Sequence, residues 1–536
     1  MPHHTDTPAR RPNLVVFVAD QLRADHLGFG GNPVVHTPHL DALAARSARF
    51  DRAYVTCPVC MPNRASIVTG RMPSAHGTRH NGIPLHRDVQ TFPRLLKDAG
   101  WRTAAVGKLH FQNMGWGWED HQLADFEAAG FRGAGWLERT GDRDWYAYED
   151  LHRHLAERVT LPDDYYGFDS VDLVVGHSDF ASGHYAHWLA DRGVDPRSAR
   201  GRANSPSTYE GWEQVYASAL PEELYPTRFV TEHATTRLKE FAAARAGGDD
   251  APFLLFVSYP DPHHPFTPPR RWFERYAAAD MPLPHTFEHA AGGAMPHFAA
   301  MAERRGTPDR DSTVTWAITE EQLRHAMAAE FGMISLLDES VGDVLATLDG
   351  LGLADDTAVA FTSDHGDMFG DHGLMLKQFT HYEGCVRVPL TLALPGSDAP
   401  RGERPGLVSS LDLAATALDL AGLPRHHGMQ GQSLLPVVHD PGLRLREQLL
   451  IEEDEPFGLE GLPGPLRMRS LLTESARLTV YDTVAGGELY DLADDPDETV
   501  NLHDGKAPAL RAELTERLAH ELVAANDSGR VPSATG

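Results

Sequence analysis

The chain has 536 residues, 41% of them hydrophobic, and is therefore long enough for one large folded domain and a smaller one. Its 48 basic and 76 acidic residues give a net charge of −28, which disfavours non-specific binding to nucleic acid or to an anionic membrane. An anionic substrate would therefore need a local cationic pocket.

The sequence contains three cysteines, Cys57, Cys60 and Cys385, which are too few for a disulfide framework and favour a reducing compartment. Residues 1–14 run straight into an apolar strand, without the apolar region and small-residue cleavage site of a signal peptide. No apolar run is long enough to span a bilayer. We therefore expect a cytoplasmic protein without a membrane or nucleic-acid partner, and a homo-oligomer remains an open alternative to a monomer.

The first predicted element is the apolar, β-branched run Asn13–Ala19, which fits a strand buried on both faces of a parallel sheet. It ends at Asp20 and Gln21. Open α/β sheets bind ligands at the carboxyl ends of their central strands, so Asp20 is a candidate metal ligand. Taken alone, Asp20 is equally well explained as a cap for the next turn.

A predicted helix beginning near Thr37 leads the chain to residues 55–70, which read VTCPVCMPNRASIVTG. Most single cysteines are small, inert core residues. Here, however, Pro62 fixes the backbone and Arg64 supplies a permanent cation two and four residues after Cys60. We interpret this stretch as one that presents the Cys60 side chain and a positive charge to an anionic ester.

The next predicted strand, Arg102–Val106, leads to Lys108 and His110. Residues two apart on a strand point to the same side, so both side chains would enter one pocket. A surface lysine and a core histidine are the alternative. Asn81, in a polar loop before this strand, is a candidate for substrate contact, with a solvated turn as the alternative.

The predicted strand Phe253–Ser258 runs into a proline-rich loop that holds two histidines rigidly. Histidine is the side chain most easily poised for proton transfer near neutral pH. The Pro-His-x-Pro frame of this loop resembles that of the sulfatases, in which the first histidine faces the substrate, so the resemblance implies this role for His263, and we expect His264 to pack or to meet solvent. Residues 115–226 lack periodicity and are interpreted as an excursion that covers the mouth of the site.

The predicted strand Thr357–Thr362 is followed by Asp364 and His365. A hard divalent ion takes carboxylate oxygens, and an imidazole beside a carboxylate favours Mn²⁺-like ions over Ca²⁺. Lys377 and His381 follow in the next loop, and taken alone both could be ordinary surface residues.

These blocks, Cys60-x-Pro-x-Arg above all, resemble the signature of the formylglycine-dependent sulfatases of the alkaline phosphatase superfamily, and look like its phosphonate monoester hydrolase and choline sulfatase members in particular. The resemblance implies an α/β fold, with a large, mixed, mostly parallel sheet sandwiched by helices and a smaller C-terminal α+β domain. We assign the catalytic domain to residues 1–440, with 115–226 as a substrate-covering insertion. Residues 441–536 would form the smaller domain, with antiparallel strands and a final helix.

The resemblance further implies that Cys60 is oxidised to formylglycine, or 3-oxoalanine, by a formylglycine-generating enzyme. Cys57 fails the motif because Val59 stands at its proline position, and Asn63 stands where many members carry serine or alanine. One divalent cation, Ca²⁺ or Mn²⁺, would be held by Asp20, Gln21, the modified Cys60, Asp364 and His365. Gln21 replaces a second acid and would serve either as a neutral oxygen ligand or as a residue that holds a ligand in place. The other catalytic residues implied are Arg64, Lys108, His110, His263 and Lys377, and the substrate-binding residues are Asn81 and His381.

The function implied is hydrolysis of a small anionic sulfate monoester, with the hydrated formylglycine as a metal-bound nucleophile. One alternative is hydrolysis of phosphonate or phosphate mono- or diesters with the same machinery. An alternative of another class is a catalytically silent binding protein in which Cys60 stays an unmodified thiol.

Overall fold

The computed structural model describes residues 11–115, 142–198, 200–289, 295–310, 312–396, 398–456 and 464–530. Its strands, in chain order, are β1 Asn13–Ala19, β2 Ala48–Phe50, β3 Ala53–Tyr54, β4 Arg102–Lys108, β5 Ser170–Val175, β6 Ser182–Gly183, β7 Phe253–Ser258, β8 Thr357–Ser363, β9 Leu390–Ala393, β10 Gly402–Arg404, β11 Val408–Ser409, β12 Gln448–Glu455, β13 Leu466–Thr473, β14 Ala476–Tyr481 and β15 Gly487–Asp491. Within these residues one sheet has nine strands, in the order β10-β2-β9-β8-β1-β7-β4-β5-β6.

The α-helices of the described residues are Pro38–Ala45, Cys60–Thr69, Pro73–His76, Phe92–Asp98, Asp142–Trp145, Leu151–Ala156, His184–Asp191, Pro226–Ala246, Arg270–Phe273, Pro296–Glu303, Glu320–Gly350, Glu383–Val386, Asp412–Leu420, Leu435–His439 and Pro508–Ala524. Short 3₁₀ turns connect several of them. No helix in the part of the chain that the structure describes is both long enough and apolar enough to cross a bilayer.

Strand β1 lies at the centre of the large sheet and runs parallel to both of its neighbours, β7 and β8. All seven of its residues are buried, as the apolar run Asn13–Ala19 predicts. Val15 and Phe17 pack with the helix Glu320–Gly350, whereas Val16 and Val18 pack on the opposite face with the helix Cys60–Thr69. The predicted fold is confirmed: the sheet is mostly parallel, β6 and β9 pair antiparallel with their neighbours, and helices cover both faces.

Strands β12 to β15 form a separate antiparallel sheet near the C-terminus, as the sequence predicts. The final helix, Pro508–Ala524, packs on this sheet through Leu514 and Leu518. Leu522, one turn further along the same face, is exposed. The boundary expected at residue 440 lies between the helix Leu435–His439 and β12.

The described part of the segment 115–226, which is predicted to cover the mouth of the site, contributes strands to the large sheet. Strand β5 pairs with β4 in parallel and β6 pairs with β5, so both extend the large sheet. Because the segment contributes two strands of the sheet, it carries a strand end of its own to the edge where the other parallel strands end. Residues 116–141 of the predicted insertion lie outside the described residues.

Gly107 allows β4 and β7 to approach closely, and its substitution tests this contact. A Cβ atom at Gly107 would lie 1.8 Å from the Ser258 carbonyl oxygen, and its φ is +105°. Gly100 has a similar φ of +86° but no atom within 4 Å of its Cβ position. We expect Gly100→Ala to lower the free energy of unfolding by about 1 kcal/mol from backbone strain alone, and Gly107→Ala to lower it by at least about 3 kcal/mol. Urea denaturation measures both, and equal losses would contradict the crowding argument.

Candidate active site

The carboxyl ends of parallel strands bring most of the predicted polar residues to one edge of the large sheet. Asp20 follows β1, Asp364 follows β8, Lys108 ends β4, and the loop after β7 carries His263. Their exposure is 4% or less, so the alternative of a surface lysine at Lys108 is excluded. Predicted residues separated by hundreds of positions in sequence therefore share one buried cluster.

Cys60 is the first residue of the helix Cys60–Thr69, and only 1% of it is exposed. Its Sγ atom lies 3.1 Å from His365 Nε2 and 3.9 Å from Asp20 Oδ1. The helix start is held by Asn81, whose Oδ1 accepts a hydrogen bond from the Met61 N–H at 3.1 Å. Asn81, predicted to contact substrate, thus caps the helix that presents Cys60.

Asn63 explains how this helix is fixed to the end of β8. Its side-chain nitrogen Nδ2 donates a hydrogen bond to the backbone carbonyl of Asp364 at 2.5 Å. Its Oδ1 atom accepts hydrogen bonds from Thr56 and from Ser410. A serine or alanine at this position could not make this set of bonds. The departure from the usual motif at Asn63 therefore has a structural role beside the cluster.

Asp20, Cys60, Asp364 and His365 form a compact donor group whose ligand atoms lie within 4.8 Å of one another. His365 Nδ1 is bonded to the Gly366 carbonyl at 2.8 Å, which orients Nε2 toward the group. Burial lowers the pKa of His365 to about 4, so the ring is neutral near pH 7. A neutral imidazole beside two carboxylates is a suitable donor set for a divalent cation.

The charges of the two carboxylates point to the same conclusion. Burial, together with the charge of Asp364, raises the pKa of Asp20 to about 7. Burial also acts to raise the pKa of Asp364, but Arg64 and His365 outweigh it and hold that pKa below its usual range. A carboxylate with a raised pKa beside an ionised one marks a place where a cation would be stabilised.

Gln21 is oriented by its neighbours. Its backbone N–H donates to Asp364 Oδ1 at 3.0 Å, and its side-chain nitrogen donates to Asp367 Oδ2 at 2.6 Å. Its Oε1 atom is thereby turned toward Lys377 Nζ and His264 Nδ1, the latter 3.0 Å away. This orientation fits either of the two roles predicted for Gln21.

Three cations border the donor group. Arg64 Nε donates a hydrogen bond to Asp364 Oδ2 at 2.7 Å. Lys108 Nζ donates a hydrogen bond to Asp20. Lys377 Nζ forms hydrogen bonds with Gln21 and His263. The Nη2 atom of Arg64 is buried and has no hydrogen-bond partner among the described residues. A buried guanidinium N–H without a partner is costly, and an oxygen of a bound anion would satisfy it.

His263 and His110 are both buried beside these cations. Burial and the neighbouring His177 and Lys377 keep the pKa of His263 well below its ordinary value. Burial and Lys108 do the same for His110, whose Nδ1 has no partner among the described residues. His110 lies beyond the end of β4 with a φ of 54°, so strand alternation does not describe its direction.

Two further histidines, His177 and His264, lie in this cluster, although the sequence does not predict them as site residues. His177 Nε2 lies 2.6 Å from Lys108 Nζ, and the ring stacks on His263 with a centroid distance of 3.6 Å. His264 packs on His263 as expected, but it also contacts Gln21. A signal for His177 exists: Val175-Gly176-His177 repeats the pattern of Val106-Gly107-Lys108, with an apolar strand, a glycine and then a basic residue.

The structure corrects the prediction for His381. Its Nδ1 atom lies 2.7 Å from Ser470 Oγ, and its Nε2 atom lies 3.2 Å from Glu453 Oε2. Both partners belong to the C-terminal sheet, and His381 is fully buried between them. Its ring therefore packs against the C-terminal sheet and is not presented to a substrate beside Cys60.

A cavity of about 440 Å³ lies apart from the cluster. Arg23, Tyr54, Asp371 and Glu383 are among its lining residues, and Cys60 is not. Arg23 is paired with Asp371 at 2.8 Å, and Glu383 accepts from Tyr54 at 2.9 Å. These side chains already have partners, so the chemistry belongs to the buried cluster.

Comparisons with known proteins agree with this geometry. A family model described as Sulfatase matches residues 12–423, and one described as N-sulphoglucosamine sulphohydrolase, C-terminal, matches residues 370–526. The choline-sulfatase of Rhizobium meliloti is 29% identical over 519 residues, covering 94% of this chain and 85% of the relative. The arylsulfatase of Clostridium perfringens is 27% identical over 497 residues, covering 92% and 90%. The crystal structure of the phosphonate monoester hydrolase of Agrobacterium radiobacter matches the fold with a TM-score of 0.74 at 24% identity, covering 96% of both chains.

The large sheet and the buried group of acids, histidines and cations, together with the sulfatase relatives, define the class of protein as an ester hydrolase. The Sulfatase model spans most of the chain. The chain therefore belongs to the sulfatase family and is a sulfuric ester hydrolase.

Replacing one carboxylate tests the donor group. We expect Asp364→Asn to weaken binding of Mn²⁺ or Ca²⁺ by at least about 100-fold, because a charged oxygen donor is lost. Asp338→Asn is the matched control, since Asp338 is also buried but accepts from the backbone N–H groups of His39 and Leu40. Isothermal titration calorimetry measures both affinities. An Asp364→Asn protein that binds the ion like the wild type would contradict the assignment.

Proposed function

We propose that the protein hydrolyses small sulfate monoesters with a nucleophile formed from Cys60. The observation that carries the proposal is the position of Cys60 Sγ, 3.1 Å from His365 Nε2 and within one donor group with Asp20 and Asp364. A nucleophile at this point would act beside a bound cation and among the basic side chains that surround it.

The donor group supports a divalent cation, which we propose to be Ca²⁺ or Mn²⁺ held by Asp20, Asp364 and His365, with Gln21 as a further oxygen donor or a supporting residue. The raised pKa of Asp20 and the neutral His365 ring support this assignment. When bound, the ion would lower the pKa of a nucleophilic hydroxyl and polarise the ester. Formylglycine at position 60, made by a formylglycine-generating enzyme, would supply that hydroxyl in its hydrated form.

The cations of the cluster would bind the group being transferred. The Nη2 atom of Arg64 has no hydrogen-bond partner among the described residues and lies 3.7 Å from Asp20 Oδ2, so it is available to a sulfate oxygen. Lys108 approaches the donor group from the end of β4, and Lys377 approaches it from the loop that follows β8. Together they would offset negative charge that develops on the sulfuryl oxygens. A substrate anion would displace the contacts that these side chains make with Asp20 and Gln21.

Two histidines would handle protons. His263, which Lys377 contacts, would protonate the departing alcohol or phenol. The cations that lower its pKa would be neutralised by a bound anion, so its pKa would rise when substrate is present. His110 is neutral and its Nδ1 is free of protein partners among the described residues, so it would accept the proton whose removal releases sulfate.

The leaving group is expected to be small or aromatic. The choline-sulfatase and arylsulfatase relatives have such substrates in their names, and both match over most of their length. We propose that the described part of the segment 115–226 forms one wall of the leaving-group pocket, because it brings His177 to the cluster.

Phosphonate or phosphate ester hydrolysis is the second candidate, and Gln21 is the observation that favours it. A neutral amide in place of a second acid leaves the ion and the three cations less compensated, which favours the dianion of a phosphate monoester over the monoanion of a sulfate monoester. The fold likeness to a phosphonate monoester hydrolase is consistent with this candidate. A silent binding protein with an unmodified Cys60 is disfavoured, because nucleophile, acids and cations are all in place.

Cys60→Ala tests the nucleophile. We expect turnover of aryl sulfates to fall by at least about 1,000-fold, because the group that attacks sulfur is lost. Cys57→Ala is the matched control, since Cys57 lies just before the helix of Cys60 and is also buried but fails the maturation motif. In wild-type protein made with the maturation enzyme, the peptide containing position 60 should weigh about 18 Da less than its cysteine form. Undiminished turnover in Cys60→Ala would exclude the proposal.

A comparison of substrates separates the two candidate activities. For the modified, Mn²⁺-loaded protein we expect kcat/KM on para-nitrophenyl sulfate to exceed that on para-nitrophenyl phenylphosphonate by at least about tenfold. Initial-rate kinetics with both substrates, with the Cys60→Ala protein as background, provide the measurement. The reverse order would assign the protein to phosphonate esters.

A further inference from the structure

His177 lies outside the blocks that resemble the family motifs, yet it contacts three residues of the cluster. Its Nε2 atom is 2.6 Å from Lys108 Nζ and 3.7 Å from Asp20 Oδ2. Its ring stacks on His263, with centroids 3.6 Å apart and planes within 12° of parallel. It thus joins the two strand ends that carry Lys108 and His263.

The backbone around His177 is built to hold this position. His177 follows β5 and Gly176, whose φ is 88°. The next residue, Ser178, also has a positive φ of 50°, and its hydroxyl lies 3.1 Å from the His263 carbonyl oxygen. A non-glycine residue in the left-handed region persists only where its surroundings hold it, so the loop is fixed to the His263 loop by more than the ring stack.

His177 is also more exposed than Asp20, Lys108 and Arg64. Its side chain is 17% exposed, compared with 0% for Asp20 and Lys108 and 3% for Arg64. It therefore lies at the rim of the buried cluster, on the side where Lys108 and His263 could meet a substrate.

We propose that His177 is a positioning residue of the active site that acts through two separate parts of its ring. Its Nε2 atom accepts a hydrogen bond from Lys108 and holds that amine toward the transferred group. Its ring face holds His263 toward the leaving oxygen. The inference rests on the proposed function, because it assigns Lys108 and His263 to opposite sides of the bond that breaks.

The two parts can be removed one at a time. His177→Phe keeps an aromatic face for the stack but has no acceptor for Lys108, whereas His177→Gln places an oxygen near the Nε2 position and has no ring. His187→Gln is the matched control, because His187 lies in the same segment and its partners, the carbonyls of His154 and Glu157 and the rings of His154 and His184, are not part of the cluster. Thermal unfolding of all variants verifies that each is folded.

Activity is measured with aryl sulfates whose phenols differ in pKa. His177→Phe should lower kcat about 10- to 100-fold by a factor that is the same for every leaving group, because Lys108 acts on the sulfuryl oxygens. His177→Gln should lower kcat by a factor that grows as the phenol becomes a poorer leaving group, because His263 protonates that oxygen. Equal, leaving-group-independent losses in both variants, or no loss in either, would overturn the proposal.

Binding of inorganic sulfate to the Mn²⁺-loaded protein gives a readout that needs no turnover. His177→Phe should bind sulfate about tenfold more weakly than the wild type, and His177→Gln should stay within about twofold. Equal sulfate affinity in the wild type and His177→Phe would overturn the role assigned to Nε2. If the wild type binds sulfate but turns over no ester, the proposed function fails while this comparison still decides the role of His177.

Discussion

The structure around Cys60 depends on two carboxylates being held side by side in the protein interior. In the pairing of β1 with β8, Ala19 lies opposite Ser363, so the next residue of each strand, Asp20 and Asp364, leaves the sheet at the same level. Two neighbouring buried acids repel each other. The pKa of Asp20 is raised by its burial and by this repulsion from Asp364. The charges of these two acids account for the cations that surround them.

The two acids are surrounded by a local excess of positive charge, although the protein as a whole is acidic. Arg64, Lys108 and Lys377 come from three different elements and surround the two acids, while the chain as a whole carries a net charge of −28. A bound divalent cation would add to this excess, and an anionic ester would balance it. Long-range attraction of the whole protein for anions is therefore absent, and substrate binding must rely on desolvated contacts at short range. The buried Arg64 Nη2 atom, which has no hydrogen-bond partner among the described residues, could make one such contact with an oxygen of the anion.

Two positions that depart from the usual family pattern fit this picture. Gln21 lacks a charge, but Asp367 holds its amide nitrogen and turns its oxygen toward Lys377. Asn63 links the helix of Cys60 to the end of β8 through the Asp364 carbonyl. In both cases the side-chain amide donates through its nitrogen and accepts through its oxygen, which are two separate atoms. A carboxylate has no donor, and a hydroxyl has only one polar atom, so neither could make both contacts. The departures therefore adjust the charge and rigidity of the site and leave its plan intact.

The sequence by itself determined the central strands and the residues at their ends, because continuous apolar runs specify buried parallel strands and such strands end at a common edge. The strand ends identify Asp20, Lys108, His263 and Asp364, whereas Cys60 is identified by its Cys-x-Pro-x-Arg motif. The sequence could not determine His177 or His381. The position of His177 depends on β5 lying next to β4, and that of His381 depends on how the C-terminal sheet packs. Both contacts join residues about 70 to 90 positions apart, and only tertiary packing decides which distant side chains become neighbours.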